Sequence, residues 1–394
     1  MKLKTICFIS PKFSDFIGGM ETHAVEFVNF FSKKKGYKIK AIITKKIVDD
    51  GIPVPNKKID SKLNKLIKPI LDGNFKEDAK KILEQSNPLE DIYYLNSPTW
   101  LPALVLLKRE YPTLRIFVRS GGNDIVAGWM GSEVNLKNNL EDQRTYMVSL
   151  INDYIEKFIV NSEYSYKRTI SVGVKPEKLI KIIGGVDCDK FKPLIKKINS
   201  KKRKEIIELV TSARLVKFKG FEYNLMAIQE VISKSKVEIR YTILGEGPER
   251  INIEHLINQL KISDNVRLIG GVSLEDVPVN LNNKNIFIHL PIYLEKIERG
   301  SKYIHTETMG RCLCEASACG LPVIASNVGG VPEIIRNNIT GFIVNEKDYH
   351  AAAEKIMLLI NNPLLIKKMS KNARKTAKEL FDFKKIFKIY EKLF

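Results

Sequence analysis

Short apolar runs alternate with helix-like stretches along this chain, and the alternation starts again near its middle. A parallel sheet is covered by helices on both faces, so its strands read as continuous apolar runs. In the first half, such runs lie at residues 4–10, 37–44, 91–96, 115–119 and 158–161. In the second half, they lie at residues 207–212, 238–244, 266–269, 286–290, 322–325 and 341–344. The pattern predicts an α/β protein with two parallel sheets in tandem.

Two similar α/β halves predict two Rossmann-like domains that face an inter-domain cleft. A basic stretch at residues 193–202 has the character of a linker between the halves. We predict a first domain at residues 1–190, a second domain at 201–380 and a C-terminal helix at 381–394 that is apolar on one face and basic on the other. Ligands of parallel sheets bind beyond the carboxyl ends of the strands, so residues that directly follow strands are the first candidates for a site.

The composition restricts the class of protein. The 394 residues carry a formal net charge of +20, with 44% hydrophobic and 28% charged residues. These proportions are typical of a folded globular protein, and no uncharged apolar run approaches the roughly 20 residues that cross a bilayer. The charge favours an anionic partner such as an acidic membrane face, although an A+T-rich coding sequence would also produce so many lysines. Aromatic residues do not interleave with the lysine clusters, which argues against nucleic acid as a partner.

The five cysteines agree with a reducing compartment, and we predict a cytoplasmic protein. Cys312, Cys314 and Cys319 lie close together in sequence. Positions 312 and 314 point to different sides of a predicted helix, so packing in the core is favoured over a metal site. No set of carboxylates or histidines has metal-ligand spacing, so the sequence itself indicates no metal site. We also expect no cofactor.

The segment from Glu307 to Glu315 is the most specific motif of the chain. Residues 311–319 read as a helix, which Gly320 ends, so Glu307 is predicted in the preceding loop and Glu315 in the second turn. Carboxylates accept paired hydrogen bonds from sugar diols, and N–H groups at a helix start attract phosphate. The spacing suits a ligand with hydroxyls at both ends and phosphate in the middle.

Three other motifs follow predicted strands, and each has a plain structural alternative. Gly18-Gly19 lets backbone N–H groups approach a phosphate, or forms an ordinary turn before the helix that holds His23. Arg214 and Lys219 either converge on a diphosphate or are two solvated cations. The segment 119–124 either binds an acceptor or a phosphate, or forms a turn in which its last residue, an aspartate, caps a helix.

Together these motifs resemble the GT-B glycosyltransferases of family GT4, over nearly the whole chain. No single motif is decisive, but their order along the chain is that of the family. They are Gly18-Gly19 with His23, residues 161–163, residues 185–187, Arg214 with Lys219-Gly220, Gly245-Glu246-Gly247-Pro248, and Glu307 to Glu315 with its continuation to Glu333.

The resemblance implies a metal-independent, retaining glycosyltransferase of the hexosyltransferase type, which moves a sugar from a nucleotide-diphosphate sugar to an acceptor hydroxyl. It implies three catalytic residues, Glu307, Arg214 and Lys219. Glu307 would hold hydroxyls of the donor sugar, and the two cations would neutralise the diphosphate as it leaves. Preorganised cations stabilise such a growing charge most in the transition state.

The resemblance also implies a donor-binding set, in which Glu315 would bind the ribose diol and the backbone from Met309 to Arg311 would meet the diphosphate. The set comprises Gly18, Gly19, Arg214, Lys219, Gly245, Glu307, Met309, Gly310, Arg311 and Glu315.

The acceptor side is less well specified. The candidate acceptor-binding residues are His23, Arg119, Asp124 and His305. Many family members have a histidine in the loop that here runs from residue 120 to 124, and this chain has none there. The charged segment 293–306, which contains His305, is either an acceptor-specific loop or an ordinary surface insertion.

The predicted partners are a nucleotide-sugar donor, a glycan or glycolipid acceptor and an anionic membrane surface. The resemblance implies assembly of a surface polysaccharide, lipopolysaccharide or glycolipid at the inner face of the cell membrane. It also implies that the C-terminal helix packs on the first domain; a membrane-surface helix is the alternative. Two other functions stay open, namely a GT-B enzyme of another reaction type, such as a nucleotide-sugar epimerase or phosphorylase, and a non-enzymatic basic surface-binding protein.

Overall fold

The apolar runs of the first half form a parallel sheet. The computed structural model describes residues 3–11, 18–44, 67–71, 74–122, 140–194, 206–298 and 301–394. Within these ranges the first sheet contains β1 (Lys4–Ser10), β2 (Tyr37–Thr44), β3 (Ile67–Leu71), β4 (Ile92–Leu95), β5 (Arg115–Arg119), β6 (Lys157–Val160) and β7 (Leu179–Lys181). Their order is β3-β2-β1-β4-β5-β6-β7, and each neighbouring pair is parallel. This is the Rossmann order with one added strand.

Helices connect these strands and cover the sheet. They are α1 (Gly19–Ser32), α2 (Phe75–Gln85), α3 (Leu101–Glu110), α4 (Leu140–Tyr154) and α5 (Glu163–Ser171). Side-chain caps begin two of them, since Asn74 accepts backbone N–H bonds at the start of α2 and Ser162 does so at the start of α5. Each cap satisfies backbone donors that a helix start leaves without an intrahelical partner.

The second half repeats the architecture. In the described part of this half, the sheet contains β8 (Ile206–Ser212), β9 (Glu238–Leu244), β10 (Val266–Gly270), β11 (Ile286–His289), β14 (Val323–Ser326) and β15 (Gly341–Val344), in the order β10-β9-β8-β11-β14-β15. A separate two-stranded sheet contains β12 (Leu294–Glu298) and β13 (Ser301–His305). The helices are α6 (Phe221–Lys234), α7 (Arg250–Gln259), α8 (Val277–Asn282), α9 (Arg311–Ala318), α10 (Val331–Ile334), α11 (Tyr349–Ile360), α12 (Pro363–Thr376) and α13 (Phe383–Leu393).

The chain divides into two units, each of which combines distant segments. Unit 1 comprises Met1–Ile183, Glu295–Tyr303 and Phe387–Phe394. Unit 2 comprises Gly184–Leu294 and Ile304–Ile386. The interior strands of both sheets are buried on both faces; every residue of β4 and of β14 is buried. This burial explains why their sequences, IYYL and VIAS, do not alternate between apolar and charged residues.

Unit 1 includes the last eight residues of the chain. The rings of Phe387, Tyr390 and Phe394 lie edge-on to Phe27 of α1, with centroid distances of 5.6, 5.6 and 6.1 Å. Arg115 of β5 donates a hydrogen bond of 3.0 Å to the carbonyl oxygen of Phe394. Edge-on aromatic pairs add to the free energy that burial provides, so the apolar face of this terminal segment is part of the core of unit 1.

The structure contains elements that the apolar pattern did not predict. β3 includes Pro69 and lies at one edge of its sheet, where a residue without an N–H group is tolerated. β7 has three residues and lies at the other edge. β12 and β13 lie in the segment 293–306, for which an acceptor-specific loop or a surface insertion is predicted. Among the described residues, no helix is long and apolar enough to cross a membrane.

Candidate active site

The strand order of unit 2 reverses direction between β8 and β11, and the loops after these two strands meet. After β8, Lys217–Lys219 form a short 3-10 turn that ends at Gly220. Gly220 has a φ of 66°, and a Cβ atom there would lie 1.8 Å from the carbonyl oxygen of Leu290, directly after β11. Only glycine permits this contact, which holds Lys219 beside the end of β11. Ligands of open α/β sheets bind at such a reversal.

Lys219, His289 and Glu307 converge at this point. The ammonium group of Lys219 and Nε2 of His289 both contact Oε2 of Glu307, the second at 3.1 Å. Glu307 is 8% exposed and His289 is fully buried. Lys219 and Glu307 therefore form a direct ion pair. The sequence predicts them only as two members of one donor site.

Opposing influences act on these ionisable groups. Burial by itself raises the pKa of Glu307, but the charge of Lys219 and the hydrogen bond from His289 outweigh it and hold that pKa well below its usual range. Burial lowers the pKa of His289, and the hydrogen bond to Glu307 opposes this only in part. The site therefore holds an ionised carboxylate beside a neutral imidazole at neutral pH.

The backbone of Glu307 is held by a glycine pair that follows β14. Gly330 donates its N–H to the carbonyl oxygen of Glu307 at 3.1 Å. Gly329 has a φ of 53°, and a Cβ atom there would lie 1.8 Å from the same oxygen. The N–H of Gly329 is bonded to the hydroxyl oxygen of Tyr293 at 2.8 Å. These contacts fix the backbone position of Glu307.

Helix α9 begins at Arg311, four residues after Glu307, as the sequence predicts. Its N-cap is Gly310 in the left-handed conformation, with a φ of 83°. The sulfur of Met309 accepts a hydrogen bond of 3.2 Å from the N–H of Gly184. The first turn of such a helix presents backbone N–H groups and a positive dipole end, the features that attract a phosphate.

Glu315 lies on the second turn of α9 and is buried. Its Oε1 accepts a hydrogen bond of 3.0 Å from Nε of Arg311, one turn earlier. Burial raises the pKa of Glu315, and the charge of Arg311 counteracts part of this rise. The guanidinium of Arg311 in turn lies 5.2 Å above the ring of Phe383. Glu315 is thus a preorganised acceptor, and the hydrogen bond from Arg311 goes to one of its two carboxylate oxygens.

The loop after β9 lies against the loop that carries Arg214. A Cβ atom at Gly245 would lie 1.9 Å from the carbonyl oxygen of Ala213, so only glycine allows this approach. The N–H of Leu215 is bonded to the carbonyl oxygen of Glu246 at 2.9 Å. Arg214 itself is exposed and makes no ion pair with the part of the chain that the structure describes. Its side chain is available to an anion.

The remaining unit 2 candidate is His305, at the end of β13. Its ring lies 4.3 Å from that of Phe218, and the ammonium group of Lys219 lies 5.0 Å from the centre of the same Phe218 ring. The structure therefore brings His305 to the loop of Lys219. The residues Cys314 and Cys319 are buried, Cys312 is half-buried, and the described residues contain no group of three or more potential His, Cys, Asp or Glu metal ligands.

The candidates in unit 1 lie at the carboxyl ends of β1 and β5. Gly18 is the N-cap of α1, which Gly19 begins, and His23 is buried with its Nε2 2.9 Å from the hydroxyl oxygen of Tyr94. Arg119 is 6% exposed and donates to the side-chain oxygen of Asn96 at 3.3 Å. Asp124 lies outside the described residues.

His289 was not predicted. The sequence carries one signal for it, because it is a polar residue at the last position of the apolar run IFIH, where a parallel strand ends at the ligand-binding edge. In the sheet register, the backbone of His289 is paired with that of Ala325 of β14.

Comparisons with known proteins agree with the motifs. Residues 191–376 match the family model described as "Glycosyl transferases group 1". The chain is 29% identical over 175 residues to the phosphatidylinositol N-acetylglucosaminyltransferase gpi3 subunit of Schizosaccharomyces pombe, covering 44% of this chain and 34% of that protein. It is 27% identical over 266 residues to the GDP-mannose-dependent alpha-(1-6)-phosphatidylinositol monomannoside mannosyltransferase of Mycobacterium tuberculosis, covering 66% of each. The chain thus spans about a third to two thirds of these relatives.

A solved structure supports the fold over the full length. The crystal structure of Anabaena Alr3699/HepE in complex with UDP matches with a TM-score of 0.74 at 17% identity, covering 100% of this chain and 99% of that chain. The predicted fold class, an α/β protein with two parallel-sheet domains of the GT-B type, is confirmed.

Proposed function

Because residues 191–376 of the chain belong to the group 1 glycosyl transferases, we propose that the protein moves a sugar from a nucleotide-diphosphate sugar to an acceptor hydroxyl, with retention at the anomeric carbon. One observation carries the proposal. Lys219, Glu307 and the start of α9 lie together at the strand-order reversal of unit 2. A cation, a carboxylate and a helix start are the groups that a sugar joined to a diphosphate requires.

The donor would bind along unit 2 with its parts in a fixed order. The diphosphate would meet the first-turn N–H groups of α9, with Arg214 and Lys219 as its cations. Glu307 would accept hydrogen bonds from the transferred sugar. Glu315, one turn farther along α9, would accept the hydroxyls of the ribose, since its pair with Arg311 engages one carboxylate oxygen.

The chemistry follows from where charge grows. As the bond between the anomeric carbon and the diphosphate oxygen breaks, the diphosphate gains negative charge, while the acceptor oxygen bonds to that carbon and its proton passes to the leaving diphosphate. Arg214 and Lys219 stabilise this charge more strongly than that of the bound donor, so they lower the barrier instead of only tightening binding. Removing one such group typically costs about 100- to 1,000-fold in kcat.

For the acceptor we propose a glycan or glycolipid of the cell surface, reached at the inner face of the cell membrane. The names of several relatives support this, since they act on phosphatidylinositol derivatives or, in Staphylococcus aureus, in capsular polysaccharide biosynthesis. The net charge of +20 agrees with an anionic membrane surface. His23, Arg119, Asp124 and His305 remain the proposed acceptor-side residues.

A panel of UDP-, GDP- and ADP-sugars tests the donor assignment. A donor at 100 times its dissociation constant should stabilise the protein by about 2.7 kcal/mol, measured as a shift in the thermal melting temperature. Lys219→Ala should abolish most of the shift. Lys217→Ala is the matched control, because Lys217 is an exposed lysine two positions away on the same turn.

Two results would contradict the proposal. One is the absence of a shift with every donor of the panel. The other is an equal shift in wild type, Lys219→Ala and Lys217→Ala, which would mean that the nucleotide sugar binds elsewhere. Activity that requires free phosphate or pyridoxal phosphate would instead support an enzyme of the same fold with another reaction.

A further inference from the structure

We propose that His289 is a positioning residue that keeps the Glu307 carboxylate ionised and oriented while Lys219 turns to the diphosphate of the donor. The inference rests on the proposed function and adds to it a residue and an exchange of partners. It starts from the observation that Lys219 and His289 both contact one oxygen, Oε2 of Glu307.

The geometry determines which nitrogen of His289 carries the proton. An ionised carboxylate only accepts hydrogen bonds, so Nε2 of His289 must be the donor to Glu307. The other nitrogen, Nδ1, is buried and has no hydrogen-bond partner among the described residues. A second proton at Nδ1 would therefore be a buried donor without an acceptor, which costs free energy. His289 is thus a neutral donor, in agreement with the effect of its burial on its pKa.

Lys219 cannot satisfy two anions equally. Without a donor, its ammonium group neutralises Glu307. A bound diphosphate presents two negative charges to the same flexible side chain, whose head is a compact point charge. When Lys219 moves to the diphosphate, Glu307 loses its cation and remains buried. Burial then favours the protonated form, and a protonated Glu307 loses acceptor capacity for the sugar.

His289 cannot leave in the same way. It is fully buried at the end of β11, whose backbone is paired with β14. Its N–H group therefore stays on Glu307 in both states. Among the described residues, the thiol of Cys312 also interacts electrostatically with Glu307, and burial raises the pKa of that thiol so that it stays neutral. Besides the hydroxyls of the bound sugar, the hydrogen bond from His289 is thus what keeps Glu307 ionised after the exchange.

The test compares three variants at position 289. His289→Leu removes the donor, and His289→Asn keeps polarity but is too short to reach Glu307. His289→Gln places an amide N–H near the former Nε2. Wild type is first titrated calorimetrically with UDP-glucose, UDP-N-acetylglucosamine and GDP-mannose, and the sugar nucleotide that it binds best is chosen. Each variant is then titrated with that sugar nucleotide and with free UDP and GDP.

We expect His289→Leu and His289→Asn to bind the sugar nucleotide about 10- to 100-fold more weakly than wild type, the range for a lost hydrogen bond to a charged group. Their affinity for the free nucleoside diphosphate should fall by a smaller factor, because that ligand also draws Lys219 away from Glu307 but has no sugar hydroxyls to bond to the carboxylate. His289→Gln should recover most of the affinity. Equal affinities in all four proteins would overturn the proposal.

Proton uptake provides a readout that a purely structural role would not change. Titration at pH 6 in buffers of different ionisation enthalpy measures protons taken up on binding. The sugar nucleotide is used here because its diphosphate lacks the terminal ionisation of free UDP or GDP. Wild type and His289→Gln should take up none through Glu307, whereas His289→Leu should take up a measurable fraction.

The outcomes separate this inference from the function on which it rests. If wild type binds none of the sugar nucleotides, the proposed function fails and the inference fails with it. If wild type binds one and His289→Leu matches it in affinity and in proton uptake, the proposed function stands and the role of His289 is refuted. Saturable binding of the free nucleoside diphosphate by the variants shows that they are folded.

Discussion

Replacing Lys219 by methionine isolates the buried ion pair. Methionine retains the length of the side chain and removes its charge, so Glu307 keeps only the hydrogen bond from His289. Because Glu307 is 8% exposed, its carboxylate would then be poorly solvated. Removing one partner of a buried pair typically destabilises a protein by about 3–5 kcal/mol. We expect the lower end of this range, since His289 still donates to the carboxylate.

The pH dependence has a definite sign. In wild type the pKa of Glu307 is lower in the folded state than its ordinary value of 4.5. Its contribution to stability is therefore complete above that value and is lost as the pH falls below it. In Lys219→Met, burial raises the pKa of Glu307, so the folded state binds a proton more readily than in wild type. The stability difference between the two proteins should be largest near pH 7 and should shrink toward pH 4.

Thermal melting between pH 4 and pH 7.5 measures this difference, with Lys217→Met as the control. Lys217 is exposed and lies on the same turn, so its replacement should change stability by less than about 0.5 kcal/mol at any pH. The double variant Lys219→Met with Glu307→Gln should recover part of the loss at pH 7, because no uncompensated charge remains. Equal melting curves for Lys219→Met and Lys217→Met, or a difference that does not depend on pH, would refute the reasoning.

Four further changes should have distinct outcomes. Glu315→Gln removes the negative charge of a carboxylate that accepts a hydrogen bond from Arg311. We expect about 10-fold weaker binding of a free nucleoside diphosphate, measured by calorimetry. Gly329→Ala forces a Cβ atom against the carbonyl oxygen of Glu307. It should lower the free energy of unfolding by about 1–3 kcal/mol in melting experiments, and it should weaken the binding of the sugar nucleotide. Gly36→Ala, at a φ of 90° with nothing within 4 Å, should leave that affinity unchanged. Phe394→Ala should destabilise unit 1 by about 3–5 kcal/mol, measured by urea unfolding.

The site was partly predictable because its members lie at recognisable positions. Glu307, the start of α9 and Glu315 are close in sequence, so helix signals alone place them correctly relative to one another. Lys219 was predicted from its place after a strand, but its direct pairing with Glu307, 88 positions away, was not. That contact depends on the order of strands in the sheet, which local patterns do not specify.

His289 illustrates the same limit. In the sequence it ends an apolar run and reads as one more buried residue, since nothing local shows which groups face its ring. Once β11 lies beside β8 and β14, the ring meets a carboxylate from a loop 18 positions later. The meaning of a buried polar side chain depends on its partner, and partners are a property of the folded chain.

The amino-acid sequence by itself determined the α/β class, the repetition of the architecture and the residues that begin and end α9, because hydrophobic periodicity and helix-end chemistry act over a few residues. Tertiary structure alone decided which of the candidates touch. It joined Lys219, His289 and Glu307, and it placed His305 against Phe218. The physical reason is that these contacts depend on strand order and on close glycine approaches, where a single added Cβ atom would separate the loops.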